Sequence, residues 1–159
     1  MPVKDKRRGS AVTKAEYEML AAFRYSLRQF LRFSESVVGE VGLTPQQHQA
    51  LLAVRGFPSR ERLTITELAE RLQIKHNSAV GLVDRLASQH LMVRHTATAD
   101  RRQVHVTLTA QGRRVLERLT ALHKDEIRRV GPGLGALLQR LTSASRVKRP
   151  GAAPRRKKS

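Results

Sequence analysis

The chain has 159 residues, enough for a single domain with a modest core. It contains no cysteine, which excludes disulfides, thiolate metal sites and thiol redox switches, and its formal net charge of +18 points to a polyanionic partner. Residues 146–159 hold seven Lys/Arg and no acid, and residues 1–8 hold four bases against Asp5, yet the body between them keeps twenty bases against twelve acids, so it is basic without its tails.

A nucleic acid fits that charge better than a membrane surface. No aromatic-rich amphipathic helix is visible and no apolar run reaches the length of a membrane span. The basic N-terminus lacks the apolar stretch of a secretory signal, so a cytoplasmic protein is expected.

Residues 1–12 read as a disordered basic arm. From Thr13 or Lys14 to Val41 the spacing predicts a long helix, with Leu20, Phe23, Leu27, Phe30, Ser34, Val37 and Val41 recurring every three or four residues. Arg24, Arg28 and Arg32 lie four apart on another face. A helix this long exceeds what so small a domain can cover, so part of its stripe is expected to pack on a second copy of the chain. Thr44-Pro45-Gln46-Gln47 is a strong start signal, with Thr as N-cap, Pro at the first helical position and Gln closing a capping box. That helix continues through His48, Leu51, Leu52 and Val54 and ends near Gly56-Phe57-Pro58.

Leu63-Thr64-Ile65 predicts a short strand, and Thr66 the N-cap of a short helix carrying Leu68, Ala69 and Leu72 inward, with Glu67 in its first turn. Gln73-Ile74-Lys75 makes a turn that Ile74 plugs. A second apolar stripe at Ala79, Leu82, Val83 and Leu86 follows, leaving His76, Asn77, Ser78 and Gly81 outward near the helix start, which is placed near Asn77. Short polar residues at a helix N-terminus suit contact with base edges in a major groove. From Leu91 the period changes to two. Leu91 to Thr96 and Val104 to Thr109 each suit a half-buried strand, joined by the polar loop Ala97 to Arg102, whose two guanidinium groups are of a size to enter a minor groove. Thr109 is the expected cap of another long helix, with Val115, Leu116, Leu119, Leu122, Ile127 and Val130 on its stripe. Gly112 in its first turn predicts a close backbone approach. Gly131-Pro132-Gly133 is expected to break that helix, leaving a short last one over Leu134 to Leu141. The tail from Ser145 reads as disordered and basic.

Several of these residues carry a resemblance. Leu68-Ala69-Glu70-Arg71-Leu72, Val83-Asp84-Arg85-Leu86, Asp100-Arg101-Arg102 and Leu108-Thr109-Ala110-Gln111-Gly112, in that order over about fifty residues, resemble the MarR (multiple antibiotic resistance regulator) family of bacterial transcription factors. The resemblance implies a mainly α fold with a small antiparallel β wing. It places a winged helix-turn-helix at about 44–109 inside a domain of 13–144, and dimerisation helices at about 13–41 and 110–143. It further implies a homodimer on a palindromic operator, with Arg102 entering the minor groove, Asp100 orienting it and Arg101 reaching phosphate. Gly81 stands where many relatives carry Arg or Thr, and Lys75 where the family often has a Ser N-cap.

The sequence thus predicts a sequence-specific double-stranded DNA-binding regulator, with repression the expected sign. Its candidate DNA contacts are Thr64, Thr66, Lys75, His76, Asn77, Ser78, Gly81, Arg94, Asp100, Arg101 and Arg102. Asp84 is expected to hold Arg85 or a wing arginine. Relatives hold small aromatic acids between the dimer helices and the DNA-binding lobe, which makes Phe23, Arg24, Tyr25, His48 and Phe57 candidate effector contacts, although each alone reads first as core or dimer packing. The six histidines include no i, i+4 pair on a helix, so no metal site, cofactor or catalytic group is expected. The competing expectation is a nucleoid- or RNA-associated architectural protein with little sequence preference.

Overall fold

Two reciprocal capping boxes set where the central helices begin. In the computed structural model, which describes residues 12–96 and 104–144, helices α1 (Lys14–Glu40) and α2 (Pro45–Arg55) are followed by strand β1 (Leu63–Thr64) and helices α3 (Ile65–Leu72) and α4 (His76–Ser88). Strands β2 (Met92–Thr96) and β3 (Val104–Leu108) precede the last helix, α5 (Ala110–Ala144). Thr44 caps α2 by accepting from the Gln47 N–H at 3.2 Å, and the Gln47 side chain accepts from the Thr44 N–H at 2.9 Å, as the sequence predicts. Gln47 also reaches α4, donating to Gln89 Oε1 at 2.9 Å.

The second box corrects a sequence expectation. Thr64, not Thr66, caps α3: its hydroxyl accepts from the Glu67 N–H at 3.1 Å, and its own N–H donates to Glu67 Oε2 at 2.8 Å. Both threonines stand at the start of the apolar stripe, but only Thr64 has an acid three residues on to close the pair. Thr66 becomes an exposed first-turn residue. Gln73 ends α3 in the left-handed region at φ 54°, which lets the Ile74 N–H return to the Ala69 carbonyl at 3.0 Å and turns Ile74 onto the core.

The chain forms two compact units, one of residues 30–129 and one that includes the described residues 12–29 and 130–144. The first holds the helix-turn-helix and an antiparallel sheet of order β1-β3-β2. Its core joins Leu51, Val54, Leu63, Leu68, Leu82, Leu86, Val106 and Leu119, all buried. Pairing of Met92 with Leu108 and Arg94 with Val106 sets the inward face of β2. Strand β2 is therefore not half-buried along its length: Met92 is buried, the other four residues are exposed, and Val93 opposite Thr107 stays 40 % exposed. His95 and His105 are direct cross-strand partners.

The start of α5 is fixed by an unusually close contact. Thr109 accepts from the Gly112 N–H at 2.9 Å and donates to the His90 carbonyl at 2.7 Å. A Cβ on Gly112 would fall 2.1 Å from the Leu91 carbonyl oxygen, which is the close approach the sequence predicts. The expected break at Gly131-Pro132-Gly133 does not occur: α5 runs unbroken to Ala144 with Pro132 inside it. Proline removes one hydrogen bond, to Arg128, and Arg128 and Pro132 are both exposed, so water can serve that carbonyl while the turns on either side continue.

Gly112→Ala is expected to destabilise the fold by about 3 kcal/mol or more, because backbone must move to admit the methyl group. Gly133→Ala has open space around the new Cβ and is expected to gain about 0.5–1 kcal/mol. Urea unfolding of the two variants checks the contrast.

Candidate nucleic-acid interface

Helix α4 presents an open N-terminus. Lys75 is its N-cap at φ −66°, ψ 148° and makes no side-chain capping bond, so the sequence's placement of the start near Asn77 moves to His76. Lys75, His76, Asn77 and Ser78 are all exposed, while Ala79, Leu82, Val83 and Leu86 are buried on the opposite side. Uncapped N–H groups and the helix dipole leave partial positive charge there, which suits an oxyanion or a base-edge acceptor. A Cβ built on Gly81 would meet only the Arg85 guanidinium, at 3.5 Å, so the missing side chain is not dictated by packing.

Beside this helix start lies a cleft of about 320 Å³ lined by Thr64, Thr66, His76 and Arg94 with Ile65, Val80 and Val104. It gathers four of the predicted DNA contacts from three elements: the capped start of α3, the first residue of α4, and β2. The Thr64 hydroxyl is already engaged in the capping box. Its N–H, with its hydroxyl and Arg60 assisting, holds the Glu67 carboxyl below the usual carboxylate range against the opposing effect of burial. Asp84 on α4 pairs with Arg94 on β2, so the acid expected to hold Arg85 or a wing arginine holds one on the wing strand. Both side chains are over a third exposed, so the pair contributes little stability, but it aims a cation across the cleft. Asp100, Arg101 and Arg102 lie outside the described residues.

Of the five candidate effector contacts, Phe23, Arg24 and Tyr25 belong to one unit and His48 and Phe57 to the other. Phe23 is half-buried and Arg24 and Tyr25 are exposed, in the outer part of α1. Phe57 packs under two guanidinium groups, Arg60 at 4.7 Å and Arg71 at 4.3 Å from the ring centroid. His48 is buried and stacks on His123, with ring centroids 4.7 Å apart and an interplanar angle of 26°. His123 donates from Nδ1 to the Leu119 carbonyl at 2.7 Å, and its Nε2 forms a hydrogen bond with the Ser34 hydroxyl at 2.8 Å. Phe30 and Phe33 meet it edge-on at 6.1 and 5.9 Å. Sequence reasoning missed this cluster because its members stand on three helices far apart in the chain. Burial, and then the neighbouring His123, pushes the His48 pKa down. Among the described residues no group of three or more His, Cys, Asp or Glu converges as a metal site would require.

A helix-turn-helix followed by this three-stranded sheet defines a winged helix-turn-helix protein. Residues 41–103 match the MarR family model. A stretch of 71 residues is 34% identical to the HTH-type transcriptional repressor MdtR of Bacillus subtilis (strain 168), covering 45% of this chain and 44% of that protein, so the match spans less than half of either. The fold is that of AbsC, a MarR family transcriptional regulator from Streptomyces coelicolor, with TM-score 0.68 and 19% identity over 87% of this chain and 94% of that one. It is also similar to MepR in the S. aureus MepR-DNA complex, with TM-score 0.59 and 21% identity over 78% and 98% of the two chains. Residues 41–103 are thus similar to the MarR family, and the fold is the one its solved members share.

Two outcomes follow from the site's geometry. Gly81→Ala is expected to raise stability by up to about 1 kcal/mol, since it improves helix propensity without a backbone clash; chemical unfolding reads the gain. For His48, a folded-state pKa below the ordinary value means that the unfolded chain binds more protons as the solution is acidified. Its contribution to stability is therefore complete above about pH 6.5 and is lost as pH falls through the lowered value. Thermal melts between neutral and mildly acid pH are expected to fall less for His48→Phe than for the parent chain.

Proposed function

We propose that this chain is a transcriptional regulator that binds double-stranded DNA sequence-specifically as a homodimer on a palindromic operator, acting as a repressor and released by a small aromatic ligand. The observation that carries the reading is the cleft where Thr66, His76 and Arg94 converge beside the open start of α4. In this reading His76, Asn77, Ser78 and the Gly81 face enter the major groove, Lys75, Arg94 and the α3 start meet backbone phosphates, and Arg102 enters the minor groove with Asp100 and Arg101 beside it.

Dimerisation is supported by apolar side chains that a lone chain leaves in water. Tyr17, Leu20, Tyr25 and Leu138 are exposed in the unit that includes residues 12–29 and 130–144, and Leu31, Leu122 and Ile127 in that of residues 30–129, all on α1 or α5. Two-fold pairing through these helices would place the reading helices about 34 Å apart, one turn of B-DNA. The charge supports an electrostatic component spread over the body as well as the tails. MdtR is by name a transcriptional repressor, and MepR is described in complex with DNA.

The decisive measurement compares a duplex enriched from genomic fragments by the purified protein with a random duplex of equal length, across a salt series. A preference of about a thousandfold or more supports operator recognition, and a ratio near one replaces it with the architectural reading. Arg94→Ala is expected to weaken both duplexes by a similar factor, about tenfold, and to lower the salt slope by about one, as loss of a phosphate contact should. Arg102→Ala should weaken the enriched duplex with the fold intact by circular dichroism; unchanged affinity would remove the wing arginine from the mechanism.

A further inference from the structure

Packing does not account for the glycine in the middle of the outward face of α4. Asn77, Gly81 and Arg85 follow one another at four-residue intervals, on the side of the helix away from the buried Ala79, Leu82, Val83 and Leu86. Glycine inside a helix weakens it relative to alanine, and no neighbouring backbone crowds position 81. What occupies the space is another side chain. The Arg85 Nη1 lies 3.5 Å from where a Cβ on Gly81 would stand. Long helical side chains lean back over the preceding turn, and here the lean carries a guanidinium about 6 Å toward the helix start, by four residues of rise. Its charge therefore sits over the centre of the face, in line with Asn77.

The fold makes no other use of that charge. Asp84, the acid next to it in sequence, pairs with Arg94, and among the described residues no carboxylate pairs with Arg85, which is exposed. Arg60 on Glu67 shows the contrasting case, a guanidinium held by the fold beside a helix start.

We propose that Arg85 reads guanine in the major groove and that Gly81 is the space that lets it do so. A planar guanidinium matches the O6 and N7 acceptors of guanine with two parallel hydrogen bonds, and no other base presents two acceptors in that arrangement there. A branched side chain at 81 would push the guanidinium aside and hold the helix off the base edges. This assignment rests on the DNA-binding reading and adds to it the base that the middle of α4 selects and the side chain that selects it. In a two-fold dimer the contact recurs, once in each half-site.

Selection from a duplex library with a randomised core, using the full chain, tests the assignment. The parent chain is expected to enrich a motif with a G·C pair in each half-site whose replacement by A·T weakens binding about tenfold or more. In Arg85→Ala, with an unchanged circular dichroism spectrum, that discrimination is expected to shrink to within about twofold, while preferences at the other positions persist. Gly81→Val crowds the guanidinium without removing it and is expected to lose the same discrimination, and the double variant to lose no more of it than either single one. Guanine preference retained by Arg85→Ala overturns the assignment. So does a loss spread evenly over all positions and over random duplex, which is how a phosphate contact behaves. Preference retained by Gly81→Val overturns the role of the glycine. An enriched motif with no such G·C pair overturns the reading by Arg85 alone, whereas a parent chain that enriches no motif overturns the sequence-specific reading beneath it.

Discussion

The contact of Gly112 with the Leu91 carbonyl joins the helix-turn-helix, the sheet and the last helix. It brings the first turn of α5 against the backbone that leaves α4 and enters β2, closer than any side chain permits. The Thr109 hydroxyl completes the joint by accepting from Gly112 and donating to His90, while the Thr109 N–H returns to Leu91 at 3.1 Å. Three elements therefore meet at backbone atoms, where rotamer changes offer no relief. Such a joint transmits displacement well, because packed backbone moves as a body.

Around that joint the polar residues divide between building and display. Thr64, Glu67, Thr44 and Gln47 spend their hydrogen-bonding capacity on helix starts, and Gln47 ties α2 to α4. The α4 start is treated differently: its cap residue is a lysine with no side-chain bond to the helix. A helix start without a side-chain cap forgoes about 1 kcal/mol of stability, which acceptors from outside the chain can supply. Phosphate oxygens and base edges are acceptors of that kind. The Asp84 and Arg94 pair fits the same division, being too exposed to stabilise much and well placed to aim a cation beside that helix start.

Two imidazoles stack in the interior of the unit of residues 30–129. Both nitrogens of His123 have hydrogen-bond partners, and burial against it disfavours the charged form of His48. Phe30, Phe33 and Ser34 enclose the pair from α1, so the three helices α1, α2 and α5 meet at one buried imidazole stack. The apolar stripes of α1 and α5 carry on past that point into side chains that remain in water.

The sequence by itself determined the order and nature of the elements, because those depend on neighbours within a few positions. The threonine-proline start of α2, the stripe of α4, the two-residue period of the wing and the close approach at Gly112 are each written into short stretches. Local signals that compete were not decided there. Thr64 and Thr66 both qualify as caps, and the position of Glu67 chose between them only once the strand ended at Thr64. Pro132 with its flanking glycines reads as a stop, yet the lost bond faces solvent and α5 continues. Tertiary structure alone decided which distant side chains meet. The stack of His48 on His123, the pairing of Asp84 with Arg94, the shared hold of Arg55 and Arg113 on Glu61 and the inward face of β2 all join residues whose separation along the chain carries no periodic signal. Their proximity follows from how the helices and sheet pack, a global balance of burial that no short window of residues contains.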